Sequence, residues 1–213
     1  VKATYLDHMG DDLAIVNAAR VSFAKQHTEF ENNDARLIAY LARHGHESPF
    51  AHTSIKFHFE APIFVARQLA KHQVGFAWNE VSGRYVELKQ DVWHPKVWRK
   101  AAANVKQGSS DEFLQGAELF EVDKAYAAAC RAALDAYKLA MKHGVCKEQA
   151  RAVYPLATYT EWHWTGSLLG WARVWRLRTK PDAQRETQEL VRQLDEPLTK
   201  LFPVAWEALK NIG

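Results

Sequence analysis

From Thr53 to Glu60 the chain reads TSIKFHFE, and Ile55, Phe57 and Phe59 alternate there with Lys56, His58 and Glu60. A period of two puts three apolar side chains on one face of a β-strand and three polar ones on the other. Such a strand needs a cover for its apolar face, and the flanking sequence supplies helices. Asp11 to Lys25 places Leu13, Val16 and Ala19 at helical spacing, and Asp34 to His44 does the same before Gly45. Pro62 stands where a first helical turn tolerates it, which predicts a helix from Ile63 to about Val74, closed by Gly75. On that helix Arg67 and Lys71 share a face, as do Gln68 and His72. An extended segment is expected through Tyr85 to Val92, whereas WHPKVWRKAAANVKQGSS, which follows it, has no readable period. Further helices are expected over Asp111 to His143, stopped by Gly144, from Lys147 to Ala152, over Ser167 to Arg178, and over Asp182 to Leu201 beyond Pro181. The pattern is α+β with helices predominating.

Length and charge narrow the function classes. The 213 residues suffice for one domain with a substantial core, and no Pro/Gly/Ser-rich linker divides them, so 1–213 is read as a single domain. A net charge of +3, from 28 basic and 25 acidic residues, leaves any positive field local, which argues against a general coater of nucleic acid. Cys130 and Cys146 form no C-x-x-C pair, which disfavours a zinc site or a disulfide-stapled fold and fits a reducing cytoplasm. Neither a secretory leader nor an apolar run of membrane-spanning length is present; the chain opens at Val1, which leaves room for a methionine or a leader before it.

The densest polar stretch is ARQLAKHQVGFAWNEVSGRY, Ala66 to Tyr85. It interleaves charged and amide side chains with Phe76, Ala77, Trp78 and Val81, the mixture of a half-buried polar site rather than a solvated helix face. No G-x-G-x-x-G and no G-x-x-x-x-G-K-[ST] occurs, so a phosphate would have to be held by side chains. Arg84, Arg151 and Arg178 are candidates because a guanidinium donates two parallel hydrogen bonds to an oxyanion; surface ion pairs are the plainer reading for each. HGHESPFAH, His44 to His52, does not have zinc-hydrolase spacing, and no metal is expected. Its histidines read as satisfied side chains or as donors to an organic cofactor. Ser82 lies outside a G-x-S-x-G elbow and reads as an anion-binding hydroxyl beside Gly83. Of the eight tryptophans, Trp162, Trp164, Trp171 and Trp175 cluster in sequence; core packing is the plain reading and stacking on a flat heterocycle the other.

Several of these stretches, taken in order, resemble one family. NAARVSF (Asn17 to Phe23), HGHESPFAH, APIFVARQ (Ala61 to Gln68), NEVSGRY (Asn79 to Tyr85), QARAVYPLATYTEW (Gln149 to Trp162) and the pair Leu177–Arg178 fall in the order of the flavin-dependent thymidylate synthases. The resemblance covers most of the chain. It departs at the family hallmark, R-H-R followed seven residues later by S: here Lys71, His72 and Gln73 precede Ser82 by a loop one residue longer. Ala51 also stands where the family commonly has glutamate. These departures suit a divergent branch, a viral one among the candidates, with the other positions kept.

The resemblance implies an α+β fold with a twisted sheet flanked by helices, and reductive methylation of deoxyuridylate (dUMP) to thymidylate. Methylenetetrahydrofolate would supply the carbon and FAD, reduced by NADPH, the hydride, so no cysteine nucleophile is needed. Carried over position by position, Arg178 would meet the uracil edge as the catalytic residue. Gln68, Lys71, Glu80, Ser82, Gly83, Arg84 and Arg151 would bind dUMP with it. Ser22, His46, Ser48, Lys71, His72, Gln73, Glu80 and Arg173 would hold FAD. A cytoplasmic homotetramer with sites between subunits, in a bacterium or an infected host, is implied, with no membrane and no stable nucleic-acid partner. Two other readings stay open: a module that binds nucleotides or single-stranded nucleic acid, with a steep salt dependence, and a flavoprotein that oxidises NADPH without methyl transfer.

Overall fold

The computed structural model describes residues 1–103 and 108–212. The chain forms two compact units: one from Val1–Phe59, Leu69–Asn79 and Trp162–Gly213, the other from Glu60–Gln68 and Glu80–Glu161.

The first unit contains most of an antiparallel sheet of four strands, β1 (Lys2–Met9), β2 (Ser54–Pro62), β3 (Phe76–Glu80) and β4 (Tyr159–Gly166), in the order β1-β2-β4-β3. The alternation in β2 is kept: Ile55, Phe57 and Phe59 are buried and the residues between them are not. β4 alternates in the same way, with Trp162 and Trp164 facing the core. Helices α1 (Asp12–Arg20), α2 (Asn32–Arg43), α6 (Leu168–Arg178), α7 (Arg185–Arg192), α8 (Asp195–Leu201) and α9 (Pro203–Lys210) also belong to this unit. Trp162 stacks between Phe59 and Trp78 at 5.2 and 4.5 Å, and Trp171 of α6 sets its edge on Phe57 at 5.1 Å while its indole N–H donates to the Ile55 carbonyl. Trp162, Trp164 and Trp171 are core, as their size favours, while Trp175 is half-buried. The Phe76 ring lies flat against Gly166 and Gly170. A β-carbon at Gly166 would come within 2.2 Å of it, so only glycine admits this approach of β3 to β4 and α6.

Ser167 caps α6 by accepting the Gly170 N–H at 3.2 Å, and Asp11 caps α1 by accepting that of Ala14 at 2.7 Å. Helix α9 begins after Phe202, which has no capping atom. Its cap comes from Asp12 at the start of α1, whose carboxylate accepts the Val204 and Ala205 N–H groups at 2.8 and 3.0 Å. Burial pushes the Asp12 carboxyl above its ordinary range despite these two bonds. Replacing Asp12 with alanine strips both N–H groups of their acceptor inside the core. A loss of about 2 kcal/mol is expected, read as a lower denaturant midpoint with an unchanged slope; an unchanged midpoint would remove Asp12 as the cap.

The second unit contains most of helix α3 (Ile63–Leu69), the long α4 (Gly116–Lys142) and α5 (Lys147–Ala150). Val92 pairs with Thr158 and Arg99 with Phe113, while Trp98 donates to Asp123 of α4 at 3.0 Å. The stretch without a period is therefore held by isolated pairings. Its residues 104–107 lie outside the described residues.

Several boundaries differ from the sequence pattern. The first helix stops at Arg20, and a 3-10 turn at Val21–Phe23 follows, ended by Ala24 with φ 51°. Helix α3 ends at Leu69, whose carbonyl accepts the His72 N–H, so Lys71, His72 and Gln73 lie in a turn and share no helix face with Arg67 and Gln68. Gly75, at φ 77°, turns the chain into β3 rather than closing a helix. The expected extended segment through Tyr85 to Val92 opens instead with a turn in which Tyr85 and Val86 donate to the Ser82 carbonyl.

Candidate functional site

In the second unit the chain after β3 makes a tight loop. Ser82 Oγ accepts the Arg84 N–H at 3.3 Å, a turn typical of serine. Gly83 is buried, and a β-carbon there would meet Leu88 Cδ1 at 3.0 Å and Arg151 Cδ at 3.2 Å. The glycine thus lets the stem of Arg151 lie along the loop backbone. Helix α5 braces the same loop: Lys147 Nζ donates to the Tyr85 carbonyl at 3.1 Å, and Glu148 stands 3.5 Å from the Arg84 guanidinium. Arg151 is exposed and forms no ion pair among the described residues. The loop and its α5 brace thus bring Ser82, Arg84 and the stem of Arg151 into one neighbourhood, with side chains of the kind that recognise a phosphate.

Two other predicted residues share this unit. Glu80 accepts the Thr160 hydroxyl at 2.7 Å, and Gln68 is half-buried on α3. A cleft of about 560 Å³ in the same unit carries Glu60, Glu87, Asp91 and Glu161 against Lys89, which sits 3.5 Å from Glu161. Its charge balance is wrong for phosphate, and Ser82, Arg84 and Arg151 do not line it.

The first unit holds Ser22, His46, Ser48, Lys71, His72, Gln73, Arg173 and Arg178. Helix α6 organises them through two contacts. Arg173 pairs at 2.5 Å with Glu47, beside the 3-10 turn Ser48–His52. At the last turn of α6, Arg178 Nε donates to His72 Nε2 at 2.9 Å. Burial first, and the Arg178 charge second, push the His72 pKa down to about 4, so the ring is neutral at physiological pH and its Nε2 is an acceptor. Ser22, His46, Ser48, Lys71 and Gln73 are exposed, and the Tyr40 ring lies edge-on to His46 at 6.0 Å. This donor set of hydroxyl, imidazole, amide and ammonium suits a large polar cofactor carrying phosphates and ring carbonyls; the carboxylate of Glu47, next to Ser48, is neutralised by Arg173.

Ser22 owes its place to two residues of the NAARVSF motif that sequence reasoning left without roles. Asn17 hydrogen-bonds both the N–H and the carbonyl of His27, at 2.8 and 2.9 Å. Arg20 reaches the buried Asp34 at 2.7 Å. Together they tie the segment after α1 to α2. Glu47, Lys147, Glu148 and Thr160 were likewise missed; each supports its partner from a distant segment, a relation no local spacing displays.

The profile of the thymidylate synthase complementing protein family matches residues 4–204. A flavin-dependent thymidylate synthase of Thermus thermophilus is 41% identical over 206 residues, covering 97% of this chain and 74% of the relative. The chain belongs to the flavin-dependent thymidylate synthase family. A second member, from Kosmotoga olearia, is 39% identical over 212 residues, covering 96% of this chain and 88% of its own. Among solved structures, the UMP/dUMP methylase PolB of Streptomyces cacaoi bound with 5-Br dUMP is similar, with a TM-score of 0.88, 30% identity and coverage of 100% and 95%. The flavin-dependent thymidylate synthase fold thus extends over the whole chain.

Proposed function

We propose that this protein is a flavin-dependent thymidylate synthase that methylates dUMP to thymidylate, with methylenetetrahydrofolate as carbon donor and FAD, reduced by NADPH, as cofactor. The observation that carries the reading is the packing of the Arg151 stem against the braced Ser82–Gly83–Arg84 loop, in a chain similar to a UMP/dUMP methylase. Arg84 and Arg151 take the dUMP phosphate with the Ser82 hydroxyl. Gln68, Lys71 and Glu80 complete the nucleotide contacts, with Glu80 also next to the flavin. Arg178 lies on the uracil edge, where its fixed charge favours the ionised pyrimidine. Ser22, His46, Ser48, Lys71, His72, Gln73 and Arg173 hold FAD, which supplies the hydride when bound. The single domain 1–213 acts as a cytoplasmic homotetramer with its sites shared between subunits. Support for assembly comes from α4: of its 27 residues only Tyr137 is buried, and Phe120 and Leu139 stand exposed. No helix among the described residues is long and apolar enough to cross a membrane.

The test is release of tritium from [5-³H]dUMP, which must require the folate, NADPH and flavin together; tritium release that survives removal of flavin would sink the reading. NADPH oxidation without thymidylate would assign Lys71 and Gln73 the loss of methyl transfer.

The reading needs no thiol; Cys130 lies on α4 hydrogen-bonded to Tyr126, and Cys146 is an exposed residue just before α5. A Cys130→Ala/Cys146→Ala protein is accordingly expected to keep its activity within about twofold, with a small loss of stability from the Tyr126 hydrogen bond. A collapse of turnover with the fold intact would return the chemistry to a thiol.

A further inference from the structure

We infer that His72 is a positioning residue for the pyrimidine, acting through Arg178: its Nε2 accepts the guanidinium Nε–H and fixes the plane in which Arg178 meets the uracil edge. This rests on the functional reading above and adds a role for the histidine beyond contact with the flavin.

The geometry selects the arrangement. Arg178 is at the end of α6 and His72 in the turn after α3, so 106 residues separate the partners of a 2.9 Å bond. Both are half-buried, and β4 offers the His72 ring the uncharged Trp164 at 6.4 Å. Arg178 is the charge that acts on the ring. An imidazolium there would set a cation against the guanidinium; the neutral ring accepts from it. With Nε2 as acceptor, the ring proton resides on Nδ1. A hydrogen bond to Nε restrains rotation about the last bonds of the arginine stem. The long side chain is then held before the ligand arrives, and less is lost on binding.

A double-mutant cycle separates this from a purely structural or flavin-binding role. His72→Leu removes the acceptor, His72→Gln keeps an acceptor near the Nε2 position, and each is made in wild-type and Arg178→Ala backgrounds. The dUMP dissociation constant by calorimetry, kcat and KM by tritium release, and bound FAD by absorbance are read for all. His72→Leu is expected to lower kcat/KM for dUMP on the order of 10- to 100-fold, the usual size of a hydrogen bond to a charged group. In the Arg178→Ala background the same change is expected to cost less than about twofold, because its route is gone. His72→Gln is expected to recover most of the loss in the wild-type background. Additive losses, or a loss confined to FAD content, would overturn the inference while leaving the functional reading in place. A wild-type protein that neither binds nor methylates dUMP would overturn the reading itself. If the leucine variant does not fold, the glutamine variant decides: dUMP affinity near wild type supports the acceptor role, and the affinity of the Arg178→Ala protein refutes it.

Discussion

An Arg178→Ala protein is expected to remain folded, to keep its flavin, and to lose about 10³-fold in kcat/KM for dUMP. The size is that of removing one donor aimed at developing negative charge, the role proposed for Arg178. Arg178 occupies the last turn of α6, so its loss costs that helix only the small favourable interaction of a cation with a C-terminal dipole. Its removal also leaves His72 with an unmet acceptor, which lowers stability slightly without touching the sheet. Lysine at this position keeps the charge and loses the planar fork, so Arg178→Lys should recover only part of the rate. Tritium release at saturating folate and reductant measures the effect. A loss below about threefold would place the pyrimidine elsewhere.

The second large effect concerns stability. Asp34 is fully buried and its two oxygens accept from Arg20, the Glu31 N–H and His27 at 2.7, 3.0 and 2.9 Å. Burial alone would raise its pKa; the Arg20 hydrogen bond, the Glu31 N–H and His27 outweigh that and hold the carboxyl below its ordinary range. Asp34→Ala leaves the Arg20 guanidinium without this partner, and its Nε already has none. A loss of about 3 kcal/mol is expected, seen as a fall of roughly 6–12 °C in Tm for a chain of this size. The wild type has a matching pH signature. Because the folded pKa lies below the unfolded value near 3.8, the carboxylate's contribution is fully present above that pH. It is lost as pH falls through the folded pKa, and the Tm difference between wild type and variant should close in strong acid. A constant difference down to that range would exclude the titration of Asp34 as its source.

How much of this was legible depends on how local each cause is. The β2 strand declared itself because its burial has a period of two that six residues display. Helix α6 did so through Ser167 and its apolar spacing. β4 has the same alternation as β2, but Trp162 and Trp164 drew attention as an aromatic cluster and the strand went unread. β1 gave no signal because it is largely exposed and shows no alternation. Helix α9 was invisible for a different reason: its cap, Asp12, lies 192 residues away from Val204. The site divides in the same manner. Ser82, Gly83 and Arg84 are neighbours in sequence, and Arg151 is a candidate oxyanion ligand by residue type, but no local spacing shows that its stem lies against Gly83. The spacing predicts helix faces that pair Lys71 with Arg67 and His72 with Gln68; the turn at Leu69 instead frees His72 to reach Arg178.

The cap on α9 also bears on how the protein is made. Asp12 waits for Val204 and Ala205, and the Gln193 side chain likewise accepts the Ala3 N–H. The four-stranded unit is assembled from three stretches of chain, while Glu80–Glu161 of the other unit is continuous. On the ribosome, the continuous stretch is synthesised before the last strand and helices of the sheet unit exist. The 52 residues from Trp162 to Gly213 take roughly 3–10 s at ordinary elongation rates. Until then β2 has no β4 beside it, and Phe57 and Phe59 have no Trp171. A nascent chain in that interval carries an open, aromatic-rich strand edge, which makes slow codons or chaperone supply while Trp162–Gly213 is translated the natural point of control on yield.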